Sequence, residues 1–358
     1  MTGWDNWLGV PMNESFRAQD WGYIKSSASM GAGPFDKALY RAYTDDTFTK
    51  QAEQPDWVGY QGPILRAEVG DMIEIMFVNK MENFYASIHS MGLFYPKEYE
   101  GSIYFNGTNH PALGDAVPPG GCFVYKWLVP KTAAPNPGYQ SKLFAYHSYV
   151  SMYQDQDAGL SGPVIIYPTG QMERVMAKNR EFVVFYGDNQ ESNSWLALQN
   201  VQKYLPQALS QAANLSDQYP SPSSNANMSI WYPQLINHPK TNVTTTMAPN
   251  FFPINGYIYA NNPAFEMCQY DNVIWYLWDM GFDTHSIHWH GNNVVMDNHV
   301  TSVVPVNPGQ MTTVTMNPAS YGWWYLICHF NTHLDKGMEA NYIVYPKSEC
   351  PLPPLKKI

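Results

Sequence analysis

Three residues with metal-binding side chains are evenly spaced near the C-terminal end of the sequence. Cys328, His333 and Met338 lie five residues apart and offer a thiolate, an imidazole and a thioether. A second imidazole is available upstream at His285, which opens a histidine-rich run. Two imidazoles, a thiolate and a weak thioether are the ligands of a blue (type 1) copper site. We therefore predict copper bound by these four residues; the alternative is a set of core residues in which methionine fills a gap.

Four short segments occur twice in the same order, which indicates an internal repeat. The paired segments are Val69-Gly70-Asp71 with Gln269-Tyr270-Asp271, Ser87-Ile88-His89 with Ser286-Ile287-His288, Val117-Pro118-Pro119-Gly120 with Val306-Asn307-Pro308-Gly309, and His147-Ser148-Tyr149 with Ile327-Cys328-His329. The sequence thus predicts two copies of one β-barrel or sandwich, residues 1–170 and 171–358, with a divide near residues 168–170.

Short apolar runs between turn residues predict strands in both halves. These runs are Met72–Val78, Cys122–Val129, Gly162–Tyr167, Glu181–Tyr186, Val273–Trp278, Met311–Met316 and Asn341–Tyr345. Residues 197–213 are the exception, because their apolar positions have helical spacing. Residues 217–249 are rich in Ser, Pro, Asn and Thr and predict a long surface loop.

The composition excludes several classes of protein. The 358 residues carry a net charge of −10, with only 14% charged and 15% aromatic residues. A basic nucleic-acid binder and a disordered chain are therefore not expected. No apolar run approaches the roughly 18 residues that span a bilayer, so we expect no membrane insertion.

Four cysteines and five N-x-S/T sequons favour a secreted glycoprotein, from which a leader has been removed, over a cytosolic protein. The sequons are at Asn13, Asn106, Asn214, Asn227 and Asn242.

The histidine motifs also carry a family resemblance. His-x-x-His-x-His at residues 285–290 and Cys-His-x-x-x-His-x-x-x-Gly-Met at residues 328–338 resemble the paired copper motifs of multicopper oxidases. Residues 39–45, 59–64, 97–101 and 254–256 are similar to the domain pairs of the ceruloplasmin and hephaestin type. The resemblance implies an all-β fold of two tandem cupredoxin-like Greek-key barrels or sandwiches. It also implies a blue site in the second domain only, since Ala86 and Ser148 replace its ligands in the first, and a disulfide between Cys268 and Cys350.

In that family, four His-x-His pairs supply eight ligands to a trinuclear copper cluster between two domains. Here three of the eight positions hold Met91, Tyr149 and Ile327. By the family pattern one copper would lose most of its imidazoles. We therefore do not expect a full trinuclear cluster or four-electron reduction of oxygen to water.

Five histidines remain at the cluster positions, and we predict that one interdomain pocket holds them. They are His89, His147, His288, His290 and His329. By the same pattern His89 and His288 would bind a type 2 copper, and Met91 and Tyr149 would lie on the pocket wall. The pocket would bind one further copper or remain a hydrogen-bonded polar interface.

Oxidation of ferrous iron needs oxygen ligands near the blue site, because Fe(II) prefers hard donors. Thr332 stands where the family's ferroxidases place an aspartate. Asp335 and Glu339 flank the motif, and we interpret them as solvated surface charges. Full ferroxidase activity is therefore not expected.

Two sets of residues outside the motif receive structural interpretations. We predict that Cys122 is a buried strand thiol. We interpret the isolated His110, His238 and His299 as loop or surface residues.

The leading hypothesis is a secreted copper-dependent oxidoreductase. It would take electrons from a small-molecule or metal-ion donor and pass them through Cys328 and His329 toward the remaining histidines, with dioxygen as the candidate acceptor. Two alternatives stay open: a non-catalytic copper-binding protein, and a pocket enzyme that acts on a small metabolite without copper redox chemistry.

Overall fold

The computed structural model describes residues 2–4, 35–103, 113–204 and 250–356. All five sequons, His110, His238 and the predicted loop at residues 217–249 lie outside these ranges. The predictions made for those positions therefore stay predictions.

The first half of the chain forms two packed sheets and, from its first two strands, a separate antiparallel ribbon. Its strands are β1 (Thr2–Trp4), β2 (Phe35–Lys37), β3 (Leu65–Glu68), β4 (Met72–Val78), β5 (His89–Ser90), β6 (Cys122–Leu128), β7 (Lys142–His147) and β8 (Ser161–Tyr167). Sheet A is the antiparallel pair β4 and β6, and sheet B has the order β3-β8-β7-β5. Tyr125 and Trp127 of sheet A are fully buried in the core between them.

The second half also forms two packed sheets. Its strands are β9 (Arg180–Tyr186), β10 (Asn189–Gln190), β11 (Asn250–Phe251), β12 (Phe265–Cys268), β13 (Val273–Asp279), β14 (His285–Trp289), β15 (Val294–Met296), β16 (His299–Thr301), β17 (Val303–Val306), β18 (Met311–Met316), β19 (Gly322–Cys328) and β20 (Glu339–Tyr345). Sheet C has the order β16-β15-β18-β13-β9, and sheet D has the order β12-β20-β19-β14-β17. Trp275 and Trp289 fill the core between them.

Helices are few and short in the described ranges. They are α1 (Met152–Ala158), α2 (Met172–Lys178), α3 (Ala197–Tyr204) and α4 (Asn331–Leu334), with 3-10 turns at Asp56–Val58, Lys97–Tyr99, Lys131–Ala133 and Lys347–Glu349. The fold is thus mostly β, as predicted, and all seven predicted strands are present. The helix predicted at residues 197–213 is present in its described part. No helix in the described ranges is long and apolar enough to cross a membrane.

The four sheets stack in the order A, B, C, D. Leu143 and Ala145 of sheet B pack against Ile274 and Tyr276 of sheet C in one apolar layer. Because side chains alternate across a strand, Ile287 and Trp289 face the core between sheets C and D, whereas His288 faces the outer side of sheet D. This order determines which histidines can meet.

The division of the chain at residue 170 stays a prediction. β8 belongs to sheet B and β9 to sheet C, which agrees with a change near that point. However, Trp195 and Leu196 lie in the core of sheets A and B, where the Trp195 ring is 4.0 Å from that of Phe84. Side chains of the second half therefore pack into the core of the first half.

The structure confirms one prediction about cysteines and corrects another. Cys268 and Cys350 form a disulfide, with 5.7 Å between their Cα atoms. Cys122, in contrast, is exposed, so the prediction of a buried thiol is wrong. Sheet A is an outer sheet, so only one of its faces is covered. Side chains alternate between the two faces of a strand, so Tyr125 and Trp127 point into the core and Cys122 points to solvent.

Candidate metal centre

The structure brings together the sulfur and the two imidazoles that the sequence selects for a blue site. Cys328 Sγ lies 3.9 Å from Nδ1 of His285 and 3.6 Å from Nδ1 of His333. Both imidazoles and the thiol are buried. Met338 is also fully buried, and its carbonyl accepts a hydrogen bond from the Cys328 amide. The structure thus places the backbone of Met338 beside that of Cys328.

Local backbone contacts explain how residues distant in sequence converge. Cys328 ends β19, His285 begins the neighbouring β14, and His333 lies on α4 directly after β19. The Met338 amide donates to the His333 carbonyl and closes the loop. Gly337 precedes it with a φ of 100°, and a Cβ there would lie 2.6 Å from Cβ of Ile258. Only glycine fits at this turn without strain.

The donor set fits a copper ion. Donor separations of this size suit one first-row ion bonded to each atom at about 2.0–2.3 Å. Burial raises the pKa of the Cys328 thiol, but the imidazoles of His285 and His333 outweigh it and lower the pKa to about 6. The thiolate that copper requires is therefore the main form at neutral pH.

Copper uptake should depend on pH through these groups. Burial opposes protonation of His285, but Asp279 and the Cys328 sulfur outweigh it and raise the pKa of His285 to about 9. Below that value copper must displace a proton from His285, and below about pH 6 it must also displace one from Cys328. We expect the apparent copper affinity to fall as pH decreases and to fall more steeply below pH 6. Competition with a chelator across this range measures it, and an affinity independent of pH would contradict the assignment.

Carboxylates contact the second nitrogens of both imidazoles, and the sequence analysis missed them. His333 Nε2 lies 3.1 Å from Oδ2 of Asp283, whose side chain is 45% exposed. His285 Nε2 faces Asp188 and Asp279, both buried. The interpretation of Asp335 as a surface charge agrees with its exposure. An aspartate at the end of the apolar strand β13 was the available signal for Asp279.

Three of the remaining histidines lie together on the outer side of sheet D. We call His288, His290 and His329 the outer cluster. His288 lies with its ring centre 5.1 Å from that of His290 and 5.0 Å from that of His329. Nδ1 of His288 is 2.7 Å from the Ser302 carbonyl, so Nε2 is the nitrogen left for a ligand. Burial and the neighbouring imidazoles lower the pKa of His290. The replaced position Ile327 lies opposite His288 in the β14 and β19 register.

Two further histidines form an inner cluster on sheet B. His89 and His147 are opposite each other in β5 and β7, with ring centres 5.3 Å apart. Tyr149 lies 5.4 Å from the His89 ring and 5.6 Å from the His147 ring. Burial lowers the pKa of His147 to about 4, so this imidazole is neutral at pH 7. Met91 follows β5 and packs against the apolar layer between sheets B and C.

The two clusters do not meet within one chain, so the prediction of a single interdomain pocket for five histidines is wrong. His147 lies at the end of β7, whose buried face packs on sheet C. His288 projects from the far side of sheet D. Stacked sheets are about 10 Å apart, and sheet C with the core behind it stands between the clusters. Whether each histidine binds copper stays a prediction.

Comparison with known proteins agrees with the site. Two family models described as multicopper oxidase match residues 57–171 and 232–348. The chain is 31% identical to hephaestin of Homo sapiens over 338 residues, which cover 92% of this chain and 27% of that protein. It is 32% identical to the human ferroxidase HEPHL1 over 329 residues, which cover 87% of this chain and 26% of that protein. The chain therefore spans about a quarter of the length of these relatives.

A solved structure supports the fold. The blue copper oxidase from Nitrosomonas europaea superimposes with a TM-score of 0.53 at 15% identity, over 87% of this chain and 84% of that one. Together with the strands, the sheets and the donor set, these matches define a cupredoxin-like protein with copper motifs. The chain belongs to the multicopper oxidase family, whose membership implies copper binding and supports a copper-dependent oxidoreductase.

Proposed function

We propose that this chain is an electron-transfer module of multicopper oxidase type, with a type 1 copper bound by His285, Cys328 and His333. Met338 is the weak fourth ligand. The observation that carries the proposal is the buried approach of Cys328 Sγ to two Nδ1 atoms at 3.6 and 3.9 Å. Copper in such a ligand set accepts and releases one electron at a time.

Electrons enter at the edge of His333. Its Nε2 is paired with the half-exposed carboxylate of Asp283. This negative group attracts a cationic donor, and its oxygens are the hard ligands that Fe(II) prefers. We favour a metal-ion or small cationic donor, in keeping with the ferroxidase name of one relative.

Electrons leave through the peptide bond between Cys328 and His329. Cys328 faces the core between sheets C and D, whereas His329 lies in the outer cluster, so one peptide links the two sites. The His329 amide donates to the Ser286 carbonyl, which fixes the outer imidazole relative to β14. The outer cluster is thus positioned to receive electrons one by one.

The outer cluster provides three imidazoles for a second copper, with dioxygen as the candidate acceptor. The exposed Tyr325 side chain lies beside it, with its ring centre 5.9 Å from that of His290. Exposed apolar surface next to ligands indicates a covered face. The inner cluster of another cupredoxin pair, such as a second copy of this chain, would complete the site.

We further propose that the protein is secreted, since the disulfide suits an oxidising compartment. Two other functions remain distinguishable from the main proposal. A simple copper-binding protein would keep the blue site without oxygen chemistry, and a metabolite-binding enzyme would work without copper.

Copper counting and oxygen uptake test the proposal on the full chain. We expect an intense blue colour on copper loading, loss of that colour on one-electron reduction, and its return in air. His329→Ala is the matched variant: it should keep the colour and the reduction but lose most reoxidation by oxygen. A colourless copper-loaded chain would refute the proposal, and full reoxidation in His329→Ala would refute the route.

A further inference from the structure

Two buried carboxylates converge on the side of His285 that faces away from Cys328. Nε2 of His285 lies 3.6 Å from Oδ1 of Asp188 and 3.7 Å from Oδ2 of Asp279. All three side chains are inaccessible to solvent. The three ligand atoms lie within 4.8 Å of one another, and neither carboxylate has a role in the electron route above.

The backbone holds each carboxylate by one oxygen and leaves the other free. Asp188 Oδ2 accepts hydrogen bonds from the amides of Phe282 and Asp283, at 2.8 and 2.7 Å. Asp279 Oδ1 accepts one from the Gly281 amide. Among the described residues, the free oxygens and His285 Nε2 have no hydrogen-bond partner. A buried polar atom without a hydrogen bond is costly, and here three such atoms lie close together, held only by the ion pairs of His285 with the two carboxylates.

The separations are those of metal ligands rather than of hydrogen bonds. Hydrogen bonds from N–H to oxygen span about 2.7–3.2 Å, so 3.6 and 3.7 Å are too long. Around a tetrahedral ion with bonds of about 2.0–2.2 Å, neighbouring ligand atoms are roughly 3.3–3.6 Å apart. Imidazole nitrogen and carboxylate oxygen are both donors that zinc accepts.

We propose that Asp188, Asp279 and His285 Nε2 form a second metal site for a divalent cation of the zinc type. The two carboxylates balance the charge of the ion, which permits its burial. With copper also present, His285 would release its ring proton and hold copper through Nδ1 and the second ion through Nε2.

A polar cavity lies beside this site. A cavity of about 200 Å³ borders Asp188, and its wall includes Asp157, Asn189 and Asn193. Tyr153 at its mouth is 70% exposed, so the cavity opens to solvent. A hydrated cation can approach through these oxygen-bearing side chains before it loses its water.

Cobalt(II) titration of copper-free Cys328→Ala protein tests the site without the blue centre. We expect one bound Co²⁺ per chain, with a visible spectrum that lacks thiolate bands, and competition by Zn²⁺. In this background Asp279→Asn and Asp188→Asn should each weaken binding by at least about tenfold. Asp335→Asn, which removes an exposed carboxylate outside the site, should leave binding unchanged. Absent binding, or equal binding in the Asp279→Asn protein, would overturn the proposal.

A second measurement uses the unaltered chain, so it does not depend on how a variant folds. Co²⁺ added to the copper-loaded protein should bind once and strongly reduce the Cu(II) electron paramagnetic resonance signal through the shared imidazole. An unchanged signal would assign Asp188 and Asp279 to orienting His285 only. If the blue site fails to form, the titration of the copper-free protein still decides the question, because that protein needs no copper.

Discussion

Replacing Cys328 by serine should abolish the blue colour of the copper-loaded chain. The colour requires a Cu(II)–thiolate bond, and Cys328 is the only thiol that lies between the Nδ1 atoms of His285 and His333 in the described residues. Loss of this direct ligand should weaken copper binding beyond the roughly 10–100-fold effect of an outer partner. Visible absorption and a copper titration measure both effects.

Cys122→Ser provides the matched control, because it removes the other free thiol in the described residues. Cys122 is exposed on sheet A, far from the donors in the stacking order. This variant should keep the colour and the copper affinity of the unaltered chain. Colour retained in Cys328→Ser, or lost in Cys122→Ser, would contradict the assignment of the ligand.

Removing the disulfide should be the most damaging single change to stability. Cys268 ends β12 and Cys350 follows the last 3-10 turn, and the bond closes a segment of 82 residues. Cross-links of loops this long restrict the unfolded chain strongly, so the Cys268→Ala and Cys350→Ala double variant should lose about 2–5 kcal/mol of unfolding free energy. Urea unfolding of the copper-free protein measures the loss.

The bond also fixes β12 at the edge of sheet D, where it pairs in parallel with β20. The copper loop between β19 and β20 should therefore loosen together with the strand. A single Cys122→Ala change controls for loss of a cysteine and should leave the unfolding midpoint almost unchanged. Equal midpoints in the double variant and the unaltered chain would show that the bond contributes little.

Local patterns predicted much of the fold. Apolar alternation is a property of each strand by itself, so β4, β13 and β18 were predicted with their observed bounds or within one residue of them. The prediction was wrong for Cys122, because burial depends on which face of a strand is covered. That in turn depends on sheet A being the outermost layer.

The residues of the candidate metal centre also divide into those that local spacing predicts and those that it does not. Cys328, His333 and Met338 come from one loop, and their spacing alone predicted a common metal. Asp188 and Asp283 gave no such signal, and Asp279 gave only that of an aspartate at the end of an apolar strand. Asp188 follows β9, whereas Asp279 ends β13 and Asp283 follows it, so the three meet His285 and His333 only through packing.

The sequence by itself determined the chemistry of the donors, the β character of the chain and its repeat, because each of these depends on residue type and short-range spacing. Only the tertiary structure decided that the remaining histidines form two separate clusters and that carboxylates stand behind both copper imidazoles. Those facts depend on the order in which four sheets stack and on which face each strand turns outward. Neither is fixed by neighbours along the chain.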